Sequence, residues 1–181
     1  EIESLIQSSN VKSILYQDFL ENGKLSFLGE FLLNKGATSI PLFTQIINLN
    51  LSEADIKRQI RKSYRSLINW GGKHFNIRIL EKEDITHESI EQFRLLHIQA
   101  AGRETRSHNS WLSQYEMVRQ GEAFVIFGEL DSKLVTAALF PYSRKYCYYG
   151  VSASNRELFD KPLSHSIIWS AILHAKKRGC H

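Results

Sequence analysis

Residues 123–151 read AFVIFGELDSKLVTAALFPYSRKYCYYGV, and this stretch decides the fold. It holds three apolar runs, Ala123–Glu129, Leu134–Phe140 and Tyr146–Val151, and Asp131-Ser132 lies between the first two. A crossover between parallel strands needs about a dozen residues or more. The connections here are too short for that, so the three runs predict an antiparallel meander. Tyr148 and Tyr149 are adjacent on the third run and must point to opposite faces, so at most one of them lines a given cleft.

Downstream, Pro162 is a good first helical residue. Ile167, Ile168, Ala171, Ile172 and Ala175 then recur on one face until Gly179, which predicts a helix over 162–178. Upstream, Phe75–Glu81 alternates as a strand. Thr86 caps a helix that carries Ile90, Phe93, Leu96 and Ala100 on its inner side, and a second helix runs from about Ser110 to Arg119.

Further upstream, Ser52-Glu53-Ala54-Asp55 is a helix start, with Leu51 placed to staple onto Ile56. Ile56, Ile60, Tyr64, Leu67 and Ile68 share a face and predict one helix up to Gly71-Gly72. Ile40–Leu49 reads as a strand. Residues 1–37 form an N-terminal segment with a hairpin expected about Asn22-Gly23 and a short helix from near Glu30 to Gly36.

The order is strand, helix, helix, meander, helix, and an expected further strand. It resembles the GNAT superfamily of N-acyltransferases, whose core is β-α-α-β-β-β-α-β. Local sequences resemble its FemAB-like branch, the peptidoglycan bridge-forming aminoacyl transferases and their acetyltransferase-like relatives. The residues concerned are Ile60–Gly71 (IRKSYRSLINWG), Gly102–Ser107 (GRETRS), Gly121–Phe124 (GEAF), Tyr148-Tyr149-Gly150, and Lys161–His165 (KPLSH) with Trp169. The resemblance spans 38–181. It implies an α/β domain with the GNAT-like acyl-CoA N-acyltransferase fold, having a mixed sheet and incomplete at its C-terminal end. Its activity would be transfer of an acyl or aminoacyl group to an amine or hydroxyl.

In one respect the sequence departs from that pattern. Acyl-CoA-using members carry a Gly-rich turn before the long helix, where backbone amides cradle the pyrophosphate. Here Asn155–Pro162 has no glycine. The expected donor is therefore either acyl-CoA or aminoacyl-tRNA, with no tightly bound cofactor. The acceptor would be a small molecule or cell-wall precursor, and tRNA is a possible partner.

Candidate site residues follow from chemistry and from that resemblance. His165 opens the last helix, where a neutral imidazole can take a proton, and Tyr149 precedes Gly150, so these two are the catalytic candidates. A hydrogen-bonded packing histidine is the competing reading of His165. Ser164 and Arg156 would meet the donor, with the amides of Leu163, Ser164 and His165 free at the positive end of the dipole. Seven of the 23 Lys and Arg, and none of the 19 acids, fall between Ile56 and Leu80. Among these Arg61 and Arg65 could grip one phosphate, against the ordinary reading of a solvated face. Arg103 and Arg106 either pair with Glu104 or meet an anionic substrate, and Trp111 either stacks on a substrate or anchors its helix.

No Ser-His-Asp order, paired-carboxylate arrangement or metal-ligand spacing stands out. The 181 residues are 43% hydrophobic and 23% charged, an ordinary globular composition of about one domain. No apolar run is long enough to span a membrane and no signal peptide opens the chain. Cys147 and Cys180 read as buried thiols, so a cytoplasmic protein is expected. The first residue is Glu1, and the last helix is followed by only Cys180-His181, so further sequence is expected. The rival functions are a non-catalytic RNA- or polyanion-binding module and a pseudo-enzyme lobe.

Overall fold

A computed structural model describes residues 13, 15–18, 20 and 23–181. The chain divides into two compact units, 1–45 and 46–181. In the first, helix α1 spans Phe27–Asn34. Ser26 caps it by accepting from the Gly29 amide at 3.2 Å, and Ser26 in turn donates to Asp18 at 2.8 Å. Leu25–Leu28 therefore leads into a helix and is no hairpin strand, while Asn22 lies outside the described residues. Gly36 follows that helix with φ +88°, as the expected glycine stop requires.

Ile40–Leu49, which spans the division between the units, forms no strand: the stretch is irregular, and Ile46 and Ile47 are exposed. Hydrophobic content alone misled here, since a strand needs a partner edge. Helices α2 (Glu53–Gln59) and α3 (Lys62–His74) replace the single helix expected, because Ile60 and Arg61 take extended backbone between them. Ser52 caps α2 through the Asp55 amide at 3.1 Å. Asp55 answers through the Ser52 hydroxyl at 2.6 Å instead of its amide. Gly71-Gly72 does not end α3. It lies inside the helix, for a reason that concerns the site.

The sheet comprises β1 (Asn76–Leu80), β2 (Ala123–Leu130), β3 (Lys133–Pro141) and β4 (Val151–Ser154), in that order, every neighbouring pair antiparallel. Asp131 and Ser132 both adopt positive φ, +49° and +63°, the backbone that a two-residue hairpin turn demands. The meander is present, but its third strand lies beyond the expected Tyr146–Val151. Residues 142–150 instead form a looser excursion held by Tyr148 N to Pro141 O at 2.8 Å and Gly150 N to Leu139 O at 3.1 Å.

Both faces of β2 and β3 are covered, which is why their sequences are apolar almost throughout. On one face Val125, Phe127, Ala137 and Leu139 pack with Phe93, Leu96, Trp111 and Val118 from α4 (His87–Ala101) and α5 (His108–Arg119). On the other, Phe124, Ile126, Ala138 and Phe140 meet Ile167 and Ala171 of α6 (His165–Lys177). Phe124 and Phe127 are 0% exposed, each a burial of about 1.5–3 kcal/mol. Thr86 and Ser89 close a reciprocal capping box on α4, and Gly102 ends it at φ +73°. Helix α6 begins at His165, later than the expected Pro162 start. Among the described residues no helix is long and apolar enough to cross a membrane.

Candidate functional site at the start of the last helix

The site is assembled where the end of β4 passes into α6. The Asn155 amide donates to Val135 O at 2.8 Å, and Leu163 packs with Val135 and Phe75, so chain entry to α6 is pinned to the start of β3. The first-turn amides of an α-helix have no intrahelical acceptor. No backbone carbonyl outside the helix takes those of Ser164, His165 or Ser166 among the described residues. Leu163 differs from the expectation: its amide donates to Lys161 O at 2.9 Å and is not free.

Two side chains add to this. Ser166 is 2% exposed and its Oγ has no hydrogen-bond partner among the described residues; the buried Nδ1 of His165 has none among them either. The His165 ring lies 5.2 Å from that of Tyr64 on α3. A Cβ on Gly71 would stand 2.2 Å from Ser166 Oγ and 2.5 Å from its Cβ, so α3 meets α6 through a bare glycine backbone. Gly71 therefore serves close helix approach and not helix termination. The sequence reading missed Ser166 and misread Gly71; an adjacent glycine pair within an amphipathic repeat was the available signal.

The segment before α6 is internally bonded. Glu157 N donates to Asn155 Oδ1 at 3.0 Å, Leu158 N to Asn155 O at 3.2 Å, Phe159 N to Arg156 O at 3.3 Å, and Lys161 N to Leu158 O at 2.9 Å. Those amides are turned inward and do not cradle a pyrophosphate. Arg156 sits on this turn with its side chain exposed.

The other expected residues are dispersed. Tyr149 is 45% exposed and tilts against Phe140 at 5.4 Å, whereas Ile167 of α6 approaches Gly128, opposite Thr136. Phe140 and Thr136 are four residues apart on β3, about 13 Å at 3.3 Å per residue. His165 and Tyr149 thus lie toward opposite ends of β3 and do not face one carbonyl together.

Trp111 is 2% exposed, edge-on to Phe93 and His97, so it anchors α5. Glu104 pairs with Arg94 at 3.1 Å, leaving Arg103 and Arg106 exposed without an ion pair among the described residues. Burial, and secondarily Arg106, pushes the His97 pKa down.

The basic segment is partly neutralised. Arg58 pairs with Asp55, Arg78 with Glu129 at 2.9 Å, and Lys57 lies over the Trp169 ring at 5.8 Å. Arg61 is exposed at the N-cap of α3, while Arg65 is half-buried with its Nε unpartnered. No group of three or more His, Cys, Asp or Glu among the described residues is placed to hold a metal ion.

Among solved structures, that of FemX superposes with a TM-score of 0.60 at 12% identity, covering 73% of this chain and 49% of FemX. This chain has a GNAT-like acyltransferase fold. A second similar structure is the aminoglycoside acetyltransferase meta-AAC0020, from an uncultured soil metagenomic sample, in complex with sisomicin. It matches with a TM-score of 0.52 at 14% identity, over 61% of this chain and 75% of that one. The same enzyme in complex with trehalose matches at 0.51 and 14%, over 60% and 74%. The matched region spans about half the length of FemX. No protein-family model matches the sequence, and no curated protein matches it. The four described strands are all antiparallel, so any parallel pairing of a mixed sheet lies outside them.

Proposed function

We propose that the chain is an acyltransferase, moving an acyl or aminoacyl group from an activated donor to an amine or hydroxyl acceptor. The observation that carries this is the first turn of α6, with free amides at Ser164–Ser166 beside the end of β4 and unpartnered His165 Nδ1 and Ser166 Oγ. The FemX and aminoglycoside acetyltransferase likenesses support the reading through the fold.

In such a transfer the acceptor lone pair attacks the donor carbonyl, the carbonyl oxygen gains charge, and the acceptor loses a proton. Amides at a helix N-terminus are suited to the developing oxyanion. His165 is the candidate proton acceptor, because it is the titratable side chain of that turn. A covalent intermediate is not required, so alignment of the two substrates supplies most of the effect. The acceptor is proposed as a small molecule or envelope or polysaccharide precursor, handled in the cytoplasm.

For acyl-CoA, the inward-bonded turn at 155–163 does not offer the amide cradle that its diphosphate would use, so no step is assigned to CoA binding there. Aminoacyl-tRNA is the other donor to test. The same missing cradle favours one second reading, a lobe that binds substrate without catalysis.

The test is single-turnover assay with acyl-CoA and aminoacyl-tRNA donors against amine acceptors. His165→Ala is expected to lower kcat by about 100-fold, as removal of a general base does. Loss of stability without loss of rate would make His165 a packing residue. Binding without turnover on any donor would establish the second reading.

A further inference from the structure

A basic depression lies at the opposite end of α6. A depression of about 490 Å³ is lined by Glu122, Tyr142, Ser143, Arg144, Lys177 and Arg178, among others. Arg144 arrives from the excursion after β3, Lys177 and Arg178 from the end of α6, and Glu122 from the approach to β2. Lys82 adds a further cation at the rim, since a Cβ on Gly121 would meet its Cε at 2.5 Å.

Cations at a helix C-terminus are ordinarily explained by the dipole. That account covers Lys177 and Arg178, but not Arg144 or Lys82, which come from elsewhere in the chain. Nor are the cations equivalent. Arg178 is fixed: its Nε lies 3.4 Å from Glu81 Oε1, it donates to the Tyr142 hydroxyl, and its guanidinium lies 4.9 Å over the Tyr142 ring. Glu81 is itself held by His174 Nε2 at 2.9 Å. Arg144 and Lys177 are exposed and form no hydrogen bond or ion pair through their side chains among the described residues. Ser143 Oγ faces the tight turn, accepting from Tyr146 N at 3.2 Å, which leaves its own proton to donate.

We infer that this depression binds the diphosphate group of a small molecule. One fixed guanidinium and two uncommitted cations on separate walls match an anion with several oxygens, and the hydroxyls of Ser143 and Tyr142 stand beside them. The volume lies in the range of small-molecule sites, about 300–1,000 Å³, and the cations surround one basin instead of tracking a strand. Glu122 is the one carboxylate lining it, and it opposes the anion. Arg178 is thirteen residues from His165, so the basin is about 20 Å along the helix from the proposed transfer site. The inference does not depend on acyl transfer.

The experiment is calorimetric titration of the 181-residue chain with inorganic pyrophosphate, with melting temperatures confirming that each variant folds. Arg144→Gln/Lys177→Gln is expected to weaken binding at least about tenfold, as loss of two charge-assisted contacts requires. Glu122→Gln should tighten it about threefold by removing a like charge. Absence of binding at millimolar pyrophosphate, or binding unchanged by the double variant, overturns the inference. So does binding lost in Arg61→Ala/Arg65→Ala but kept in the double variant. A single-stranded RNA oligonucleotide that binds more tightly than pyrophosphate, and loses that binding in the double variant, would overturn the small-molecule assignment.

Discussion

The two ends of α6 solve opposite problems. At the C-terminal end one chain of polar groups is mutually paired: His174 bonds Glu81, Glu81 meets Arg178, and Arg178 reaches Tyr142. At the N-terminal end Ser166 Oγ, against the bare backbone of Gly71, and His165 Nδ1, beside the Tyr64 ring, are buried without partners among the described residues. Unsatisfied buried polar atoms cost about 1–3 kcal/mol each, so a fold selected only for stability would not place two together. One end pairs its buried polar groups and the other leaves two of them unpaired.

The largest effect should come from closing the gap at the N-terminal end. Gly71→Ala places a methyl where Ser166 Oγ stands. It should destabilise by about 1–3 kcal/mol through overpacking, set against less than 1 kcal/mol of helix propensity gained. Urea midpoints measure this, and adding Ser166→Gly should restore most of the loss. An unchanged midpoint in Gly71→Ala alone would mean that the α3–α6 approach is looser than described.

At the paired end, a double-mutant cycle with Glu81→Gln and His174→Gln should report a coupling of about 1 kcal/mol, the scale of one largely buried hydrogen bond. The equivalent cycle between Tyr64→Phe and His165→Gln should show none, because those rings meet without a hydrogen bond. Equal couplings would erase the contrast between the ends.

Ser166→Ala removes an unpartnered buried hydroxyl and should stabilise by about 1 kcal/mol, the lower end of that cost. A clear destabilisation would reveal a partner for that Oγ. If acyl transfer is lost in the same variant while stability is kept, the hydroxyl belongs to the chemistry.

The smallest effect concerns the thiols beside the paired end. Burial pushes the Cys147 pKa up to about 12 and the Cys180 pKa upward. The native state therefore holds these protons more tightly than the unfolded chain. Their contribution to stability is intact below the ordinary thiol value of 9.0 and is lost as pH rises toward about 12. At pH 8 a disulfide reagent should modify the native chain far more slowly than the chain in urea. Rapid native modification would show that the 142–150 excursion opens.

Much of the frame was legible because it rests on local signals. Thr86 and Ser52 announce caps, Asp131-Ser132 announces a hairpin, and short links leave antiparallel pairing as the remaining choice. The errors also have local causes. Tyr146–Val151 looks like a strand because aromatic residues favour strands, but ladder pairing with β3 is made by Val151–Ser154 instead. Ile40–Leu49 has the composition of a strand but pairs with no strand among the described residues. The single helix expected over 52–71 breaks at Ile60-Arg61, where apolar periodicity continues but the backbone does not.

The site was less legible than the fold. His165 stands out in the sequence because a helix start is visible there, and Tyr149 was grouped with it although the two lie toward opposite ends of β3. The Glu81–His174 pair spans 93 residues and leaves no spacing signal. Charge counting pointed to 57–65, where Arg58 is neutralised from its own helix by Asp55. It passed over Arg144 and Lys177, which are distant in sequence and meet only in space.

By itself the sequence determined the order of elements from Phe75 onward, the caps at Ser52 and Thr86 and the antiparallel sense of the meander. These depend on interactions within a few residues or on the length of a link. Tertiary structure decided which strand residues pair, why Gly71 must be glycine, and which charges are free. Those outcomes depend on what α3, α6 and the 142–150 excursion bring against each other, and close packing makes such contacts all-or-none over an ångström or less.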